Sequence, residues 1–404
     1  MKKNFIWNIV GTLCYSFTSL FFLIIVTRIN GVEEAGVFTF AFSLSSLINV
    51  IGTYAGRTYQ VTDNHDITDT DYIIQKIVAC ILMFVCAITY VFIKDYSFYK
   101  VMVILLLVGY RMLESYSEAL YGIIQKNGKL YQVGISMALK GILGIVIFLV
   151  IDIFTKNIIY SIIGLILITF IIILLLDIRN RNKFYHVSKI NFQHVKLIFK
   201  CGFFTFVFTI LTQYLINAPR YAIDDIMKEE FQTIFGIIIM PATLMILCSQ
   251  FLVQPFLVTL NEKIKNGNLK EFSKMIRLIC FAMVGLGFLA EVVAYFIGIP
   301  FLELIYGIDL NLYLNSLLIV ILGALCYGIS YIMSTALIIF RKTFIQAVIY
   351  GVISLIAFFL AEQLVLEMGV FGAVLSYFIS MLLLLICYII VYNIFIRKER
   401  KNYG

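Results

Sequence analysis

The chain has 404 residues, 62% of them hydrophobic and 13% charged, with a mean hydropathy of +1.00 and a formal net charge of +8. A soluble globular chain carries about 45–50% apolar and about 25% charged residues, so this composition excludes an ordinary soluble domain. Continuous apolar runs of more than about 18 residues point to membrane-spanning helices rather than to the short alternating strands of a barrel.

In chain order, the runs predict spans over 5–27, 36–58, 73–93, 101–125, 131–151, 158–178, 198–217, 232–258, 276–298, 313–338, 344–366 and 370–396. Lys2 and Lys3 precede a first run that is too long for the apolar part of a signal peptide and lacks a small-residue cleavage site, so it is expected to remain as a helix. The links RINGVEEA, KNGKL and RKT are short enough to be tight hairpins. Between spans two and three stands GRTYQVTDNHDITDTDY (56–72), where Arg57 closes an apolar run and aspartates follow. DNHDITDTD lacks the central glycine and terminal glutamate of an EF-hand, and reads as a solvated acidic loop. Span eight carries Pro241 and Pro255, each of which removes a backbone donor and can bend a helix.

Orientation follows from the basic residues. With the N-terminus inside, the inner segments hold 21 Lys and Arg and the outer ones 6. That asymmetry puts both termini in the cytoplasm and favours an even number of spans. It also accounts for the net charge without nucleic acid. The basic segment 179–197, after span six, separates an N-terminal six-helix lobe (1–178) from a C-terminal one (198–396). A basic tail (397–404) follows. The fold class expected is therefore an all-α polytopic membrane protein of twelve helices in two six-helix lobes. The segment RNRNKFYHVSKINFQHVK reads either as an amphipathic helix on the inner leaflet or as a solvated linker.

Charge inside a span costs roughly 2.5–3.5 kcal/mol on insertion scales, so such residues usually face a partner or a watery cavity. Arg111 and Lys140 fall near the midplane of spans four and five, and Glu291 in the outer half of span nine. Glu114 lies three residues after Arg111 on the same helix face, with Glu118 one turn further. Arg28 ends span one, Arg57 lies near the inner end of span two, and Arg220 follows span seven with Asp224 and Asp225 beside it. The first lobe thus reads as net basic, a setting that attracts anions, and guanidinium groups suit phosphate because they can donate in a fork. Other roles stay open: Arg111 and Glu114 can neutralise each other, Arg28 and Arg57 can snorkel to headgroups, and Glu114, Asp224 and Glu291 are candidates for ion coupling or charge pairing. Lys140 has no partner in its own helix.

Several chemistries have no support in the sequence. No Walker A, HExxH or GxSxG pattern occurs. His65, His186 and His194 fall in predicted inner loops without metal-ligand spacing, and the eight cysteines sit singly in apolar runs, read as packed free thiols. No extramembrane segment is long enough for a catalytic domain, so neither enzyme activity nor a cofactor or metal is expected.

The stretch from NFIWNIVGTLCYSF to AGRTYQVTD, above all TRINGVEEAGVF after span one and GRTYQVTD after span two, resembles the start of Wzx-type bacterial polysaccharide flippases, the O-antigen and capsule repeat-unit transporters of the MOP (MATE-like) superfamily. NAPRYAIDD (217–225) followed by FGIIIMPATLMILCSQFLVQPF looks like the matching start of the second half. The resemblance implies a transporter in the bacterial cytoplasmic membrane that moves undecaprenyl-diphosphate-linked oligosaccharide from the inner to the outer leaflet. It implies two lobes facing a central cationic cavity, with a polysaccharide polymerase complex as a candidate partner. By position Arg28 and Arg57 match cavity arginines of related lipid flippases; Arg111, Lys140 and Arg220 extend the cationic set on charge alone. Two other readings compete: a MATE-like exporter of small cations, which would favour an acidic cavity, and a polymerase or ligase of the same pathway, which would need a larger outer loop. The major facilitator signature GxxxD(R/K)xG(R/K) is not found between spans two and three.

Overall fold

A computed structural model describes residues 2–54, 56–62, 67–185, 188–340 and 343–403. His65, His186, Arg341, Lys342 and the middle of the acidic loop (63–66) lie outside the described residues. The chain is all helical, and ten stretches are long and apolar enough to cross a membrane among the described residues. It is a multi-pass membrane protein. Two compact units divide it, Met1–Gln213 and Tyr214–Gly404.

In the first unit, α1 (Lys2–Ser16) and α2 (Thr18–Asn30) form one apolar run that breaks at Phe17, where the Thr18 hydroxyl donates to the Tyr15 carbonyl at 2.8 Å. Such back-bonding competes with the helical ladder. Gly31, at φ 91°, turns the chain into α3 (Val32–Thr53). The predicted span 36–58 is shorter than expected. It stops at Thr53, Tyr54 leaves helical geometry, and Arg57 lies on a separate short helix, α4 (Gly56–Thr62). The reason is a side chain from the next span: Lys76 Nζ donates to the Thr53 carbonyl, the group that the Arg57 N–H would take in a continuous helix. A cation there also suits the negative end of the α3 dipole.

Thr68 caps α5 (Asp69–Lys94) in a reciprocal box with Asp71, and Ser97 caps α6 (Phe98–Lys126). α7 (Leu130–Thr155) and α8 (Ile158–Ile172) follow. The last of these runs through a π-helical segment, Ile173–Ile178, into the three-residue α9 (Arg179–Arg181). Helices α1 and α7 touch through glycines: a Cβ on Gly134 would lie 2.1 Å from the Trp7 carbonyl oxygen, and one on Gly11 2.3 Å from that of Gly134. Small residues let backbones meet where lipid offers no hydrophobic drive between helices. Phe22, Phe38 and Phe148 fill the centre between α2, α3 and α7, with ring centroids 4.8–6.3 Å apart.

The described residues of the basic segment 179–197 form a strap rather than one continuous amphipathic helix. Ser188 N–H donates to Thr70 Oγ1 (3.1 Å), Asn191 N–H donates to Asp71 (2.8 Å), and His194 Nδ1 meets the same carboxylate at 2.9 Å. α10 (Phe192–Ile226) begins here. Its first half belongs to the first unit, because Tyr54 stacks on Phe206 at 4.8 Å and donates to the Phe199 carbonyl at 2.8 Å. The division at Gln213 thus falls inside a helix and beyond the strap.

The second unit continues with α11 (Glu229–Ile238), α12 (Met240–Val253), α13 (Leu257–Lys265), α14 (Leu269–Val293), α15 (Ile299–Tyr306), α16 (Leu314–Ile339) and α17 (Thr343–Tyr403). The predicted span 232–258 is broken twice, just ahead of Pro241 and by a 3-10 turn at Gln254–Phe256 that contains Pro255. α17 bends at Gly369 (φ 58°, ψ −132°), a conformation open only to glycine, and Gly372 then packs so close to the Leu364 carbonyl that no Cβ fits.

Candidate functional site

The polar residues of the first unit gather along α6. Arg111, Glu114, Ser117, Glu118 and Tyr121 recur at three- and four-residue spacing, and α3, α4 and α7 each bring partners to them. Arg111 Nη1 pairs with Glu114 at 2.6 Å, and Nη2 donates to Ser46 Oγ of α3 at 2.8 Å. The guanidinium also lies over the rings of Phe42 and Tyr110, 4.5 and 5.7 Å from the centroids. Ser115 donates to Asn49 of α3 at 2.8 Å.

One turn on, Lys140 of α7 is buried with all three ammonium donors engaged, by Ser117 Oγ (2.7 Å), Tyr121 OH (2.9 Å) and Asp177 Oδ2 (2.6 Å). Asp177 belongs to the π-helical segment, and its other oxygen accepts from Ser136 at 2.5 Å. A π turn re-aims the side chains around it and frequently marks a functional position. Between Ser117 and Tyr121 on α6, Glu118 meets Arg57 of α4 at 3.8 Å.

The seam therefore contains three cation–carboxylate pairs, graded from closed to open. Lys140–Asp177 is sealed, with side-chain exposures of 3% and 1%; Arg111–Glu114 is close behind at 13% and 7%; Arg57–Glu118 is the longest and most accessible, at 23% and 29%. Arg57 Nη1 is buried and has no hydrogen-bond partner among the described residues. Arg111 Nε is likewise without one, so what sets Arg57 apart is spare donor capacity at the most accessible of the three pairs.

The other residues expected from the sequence are placed as follows. Arg28 is exposed in the last turn of α2. Arg220 and Asp224 lie in the second unit on α10, not in an outer loop: the helix passes through Pro219 to Ile226, and the connection to α11 shrinks to 227–228. Gln232 donates to the Arg220 carbonyl at 2.5 Å. Glu291 is half-buried on α14, with Oε1 lacking a hydrogen-bond partner among the described residues. The structure does not gather Arg28 or Glu291 into the α6 seam. Sequence reasoning passed over Asp177, which sits one residue from the end of a predicted span, and Lys76, in the first turn of another. It also missed Ser46 and Asn49, whose positions in a run of small residues give no signal. All eight cysteines are free thiols, and no metal-ligating cluster occurs among the described residues.

No protein-family model matches the chain. The capsular polysaccharide biosynthesis protein CapF of Staphylococcus aureus is 24% identical over 404 residues, 97% of this chain and 99% of that protein. Among solved structures, the lipid II flippase MurJ in an inward closed conformation aligns with a TM-score of 0.75 at 15% identity, over 96% of this chain and 87% of that one. An inward-facing multidrug resistance MATE family transporter of the MOP superfamily aligns with a TM-score of 0.68 at 12% identity, over 98% and 100%. This chain shares the fold of that flippase and that MATE transporter. Its neighbours are a flippase and a transporter rather than enzymes, and the resemblance to Wzx-type flippases read from the sequence is borne out.

Proposed function

We propose that this protein moves lipid-linked oligosaccharide repeat units, carried on undecaprenyl diphosphate, from the inner to the outer leaflet of the bacterial cytoplasmic membrane by alternating access, for surface polysaccharide assembly. The observation that carries this reading is Arg57: a partly exposed guanidinium with an unpartnered buried nitrogen, at the open end of a charged seam, in a fold shared with a lipid II flippase. A diphosphate offers the multiple acceptors that such a group can use in a fork. The relative in capsule biosynthesis supports a polysaccharide cargo. In this reading Lys140 and Arg111 hold the seam in shape, while Arg57 meets the headgroup, with Arg28 and Arg220 as further cationic contacts.

The reading includes twelve spans with both termini in the cytoplasm. Ten stretches qualify by apolarity alone. α6 joins them because Arg111, Glu114 and Glu118 find partners within the unit, and the last stretch counts twice because Gly369 divides it. A C-terminal reporter that reads periplasmic would overturn this topology.

The deciding experiment locates lipid-linked units with a membrane-impermeant lectin on protoplasts depleted of the protein. Wild-type protein should restore outer-face exposure; Arg57→Ala protein, inserted at normal levels, should leave the units shielded. Exposure at the wild-type rate would remove Arg57 from the mechanism, and exposure without any copy of the protein would remove the flippase reading. The likeness to a MATE transporter favours a second reading, export of small organic cations. Faster killing of depleted cells by such compounds would support it.

A further inference from the structure

The elbow between α13 and α14 carries a basic hollow that the seam does not use. Its volume is about 700 Å³, and Lys263, Lys274 and Arg277 lie in its wall. Gly267, at φ 69°, makes the turn that folds α13 back on α14. Lys263 is ion-paired with Glu271, so the four charges sum to a positive excess carried by Lys274 and Arg277. Arg277 spends Nε on the Ser273 carbonyl at 3.3 Å, leaving its terminal nitrogens for another acceptor.

The order of side chains along α14 matters more than their number. Lys274, Arg277, Leu278 and Phe281 recur at three- and four-residue spacing, on one face of the helix. The two cations come first; Leu278 and Phe281, 68% and 72% exposed, follow on the next turn, where a stretch without charge begins and runs to Ala290. Cation above, apolar surface below is the layering of a lipid, charged at the headgroup and hydrocarbon beneath. A cation that only snorkels to water needs no hollow beside it.

We propose that this elbow binds one anionic phospholipid, its phosphodiester held by Lys274 and Arg277 with Lys263 alongside, and its acyl chain lying along Leu278 and Phe281. The site is independent of the flippase assignment. A zwitterionic lipid would bring its own cation to a site already positive, so the preference is for a net-negative headgroup such as phosphatidylglycerol.

The purified full-length protein, titrated with phosphatidylglycerol and with phosphatidylcholine and read by native mass spectrometry, tests this. Phosphatidylglycerol should be retained preferentially. Lys274→Gln with Arg277→Gln should weaken its retention roughly 30-fold, about 5-fold for each cation near a membrane surface. Arg179→Gln with Lys183→Gln, on the strap, should leave it unchanged. Phe281→Ala should weaken the lipid while leaving the unfolding temperature in phosphatidylcholine as before. Equal retention by the Lys274/Arg277 variant and wild type, or equal loss in the strap variant, would overturn the site. Full competition by glycerol phosphate at the same concentration would overturn the lipid and leave a phosphate site.

Discussion

Replacing Lys140 with methionine should destabilise the protein by about 3–5 kcal/mol, the range for breaking a buried ion pair from one side. Methionine keeps the length of the lysine stem, so the change isolates the ammonium. That group makes three hydrogen bonds, to Ser117, Tyr121 and Asp177. At about 0.6 kcal/mol each within a membrane, those bonds alone account for roughly 2 kcal/mol. The rest comes from Asp177, whose carboxylate is left 1% exposed with Ser136 as its remaining partner. At 2.6 Å and an effective dielectric of about 20, the lost attraction is roughly 6 kcal/mol before desolvation is subtracted, enough to supply the difference. The assay is reversible unfolding of the purified protein in mixed micelles, run as a cycle with Asp177→Asn and the double variant. The double variant should be more stable than the sum of the single losses implies, with a coupling of at least about 2 kcal/mol. Additive losses near 2 kcal/mol each would refute the reasoning and reduce the pair to ordinary hydrogen bonds.

Other expectations use separate parts of the molecule. Gly134→Leu should push α1 off α7, costing about 1–3 kcal/mol or more, because the new side chain meets the Trp7 carbonyl rather than a movable side chain. Trp7 is the single tryptophan, so its emission maximum should shift in that variant and stay put in Gly109→Ala, where nothing lies within 4 Å. Asp71→Ala should free the strap by removing acceptors for Asn191 and His194, and trypsin should then cut at Lys189 about ten- to a hundredfold faster. An unchanged rate would mean that the strap is held by other contacts. Gly369→Ala should cost at least about 1–2 kcal/mol, since its φ of 58° is strained for any side chain, as a lowered midpoint in the same unfolding assay would show.

The membrane character and most span positions were legible because hydropathy is a sum over 20 residues and tolerates local error. Arg111 with Glu114 was legible too, since a three-residue spacing fixes a shared face. What escaped the sequence came from far along the chain. Lys140 meets Asp177 across 37 residues, and no local pattern announces such a pairing. Arg57 leaves α3 because Lys76, 23 residues from Thr53, takes a carbonyl of that helix. Span seven reads as 198–217, yet α10 continues through Pro219 to Ile226, since a membrane helix can absorb one missing N–H where neighbours satisfy the freed carbonyl. Charge marks the segment after span six, and the contacts of Tyr54, which no local pattern announces, carry half of α10 with the first unit.

The π segment at Ile173–Ile178 sets how far the Lys140–Asp177 pair tolerates a change in chain length. A π turn amounts to one residue inserted into an α-helix, and each residue of an α-helix advances the side-chain direction by about 100°. Most apolar positions from Ile158 to Leu176 can therefore drift among similar side chains without disturbing the pair. Loss of one residue ahead of Asp177 would let the segment return to regular winding with Asp177 still facing Lys140, whereas loss of two would rotate it away by about 100°. The pair thus depends on residue count more than residue type, and relatives that retain it can have this segment at its present length with the π turn or one residue shorter without it.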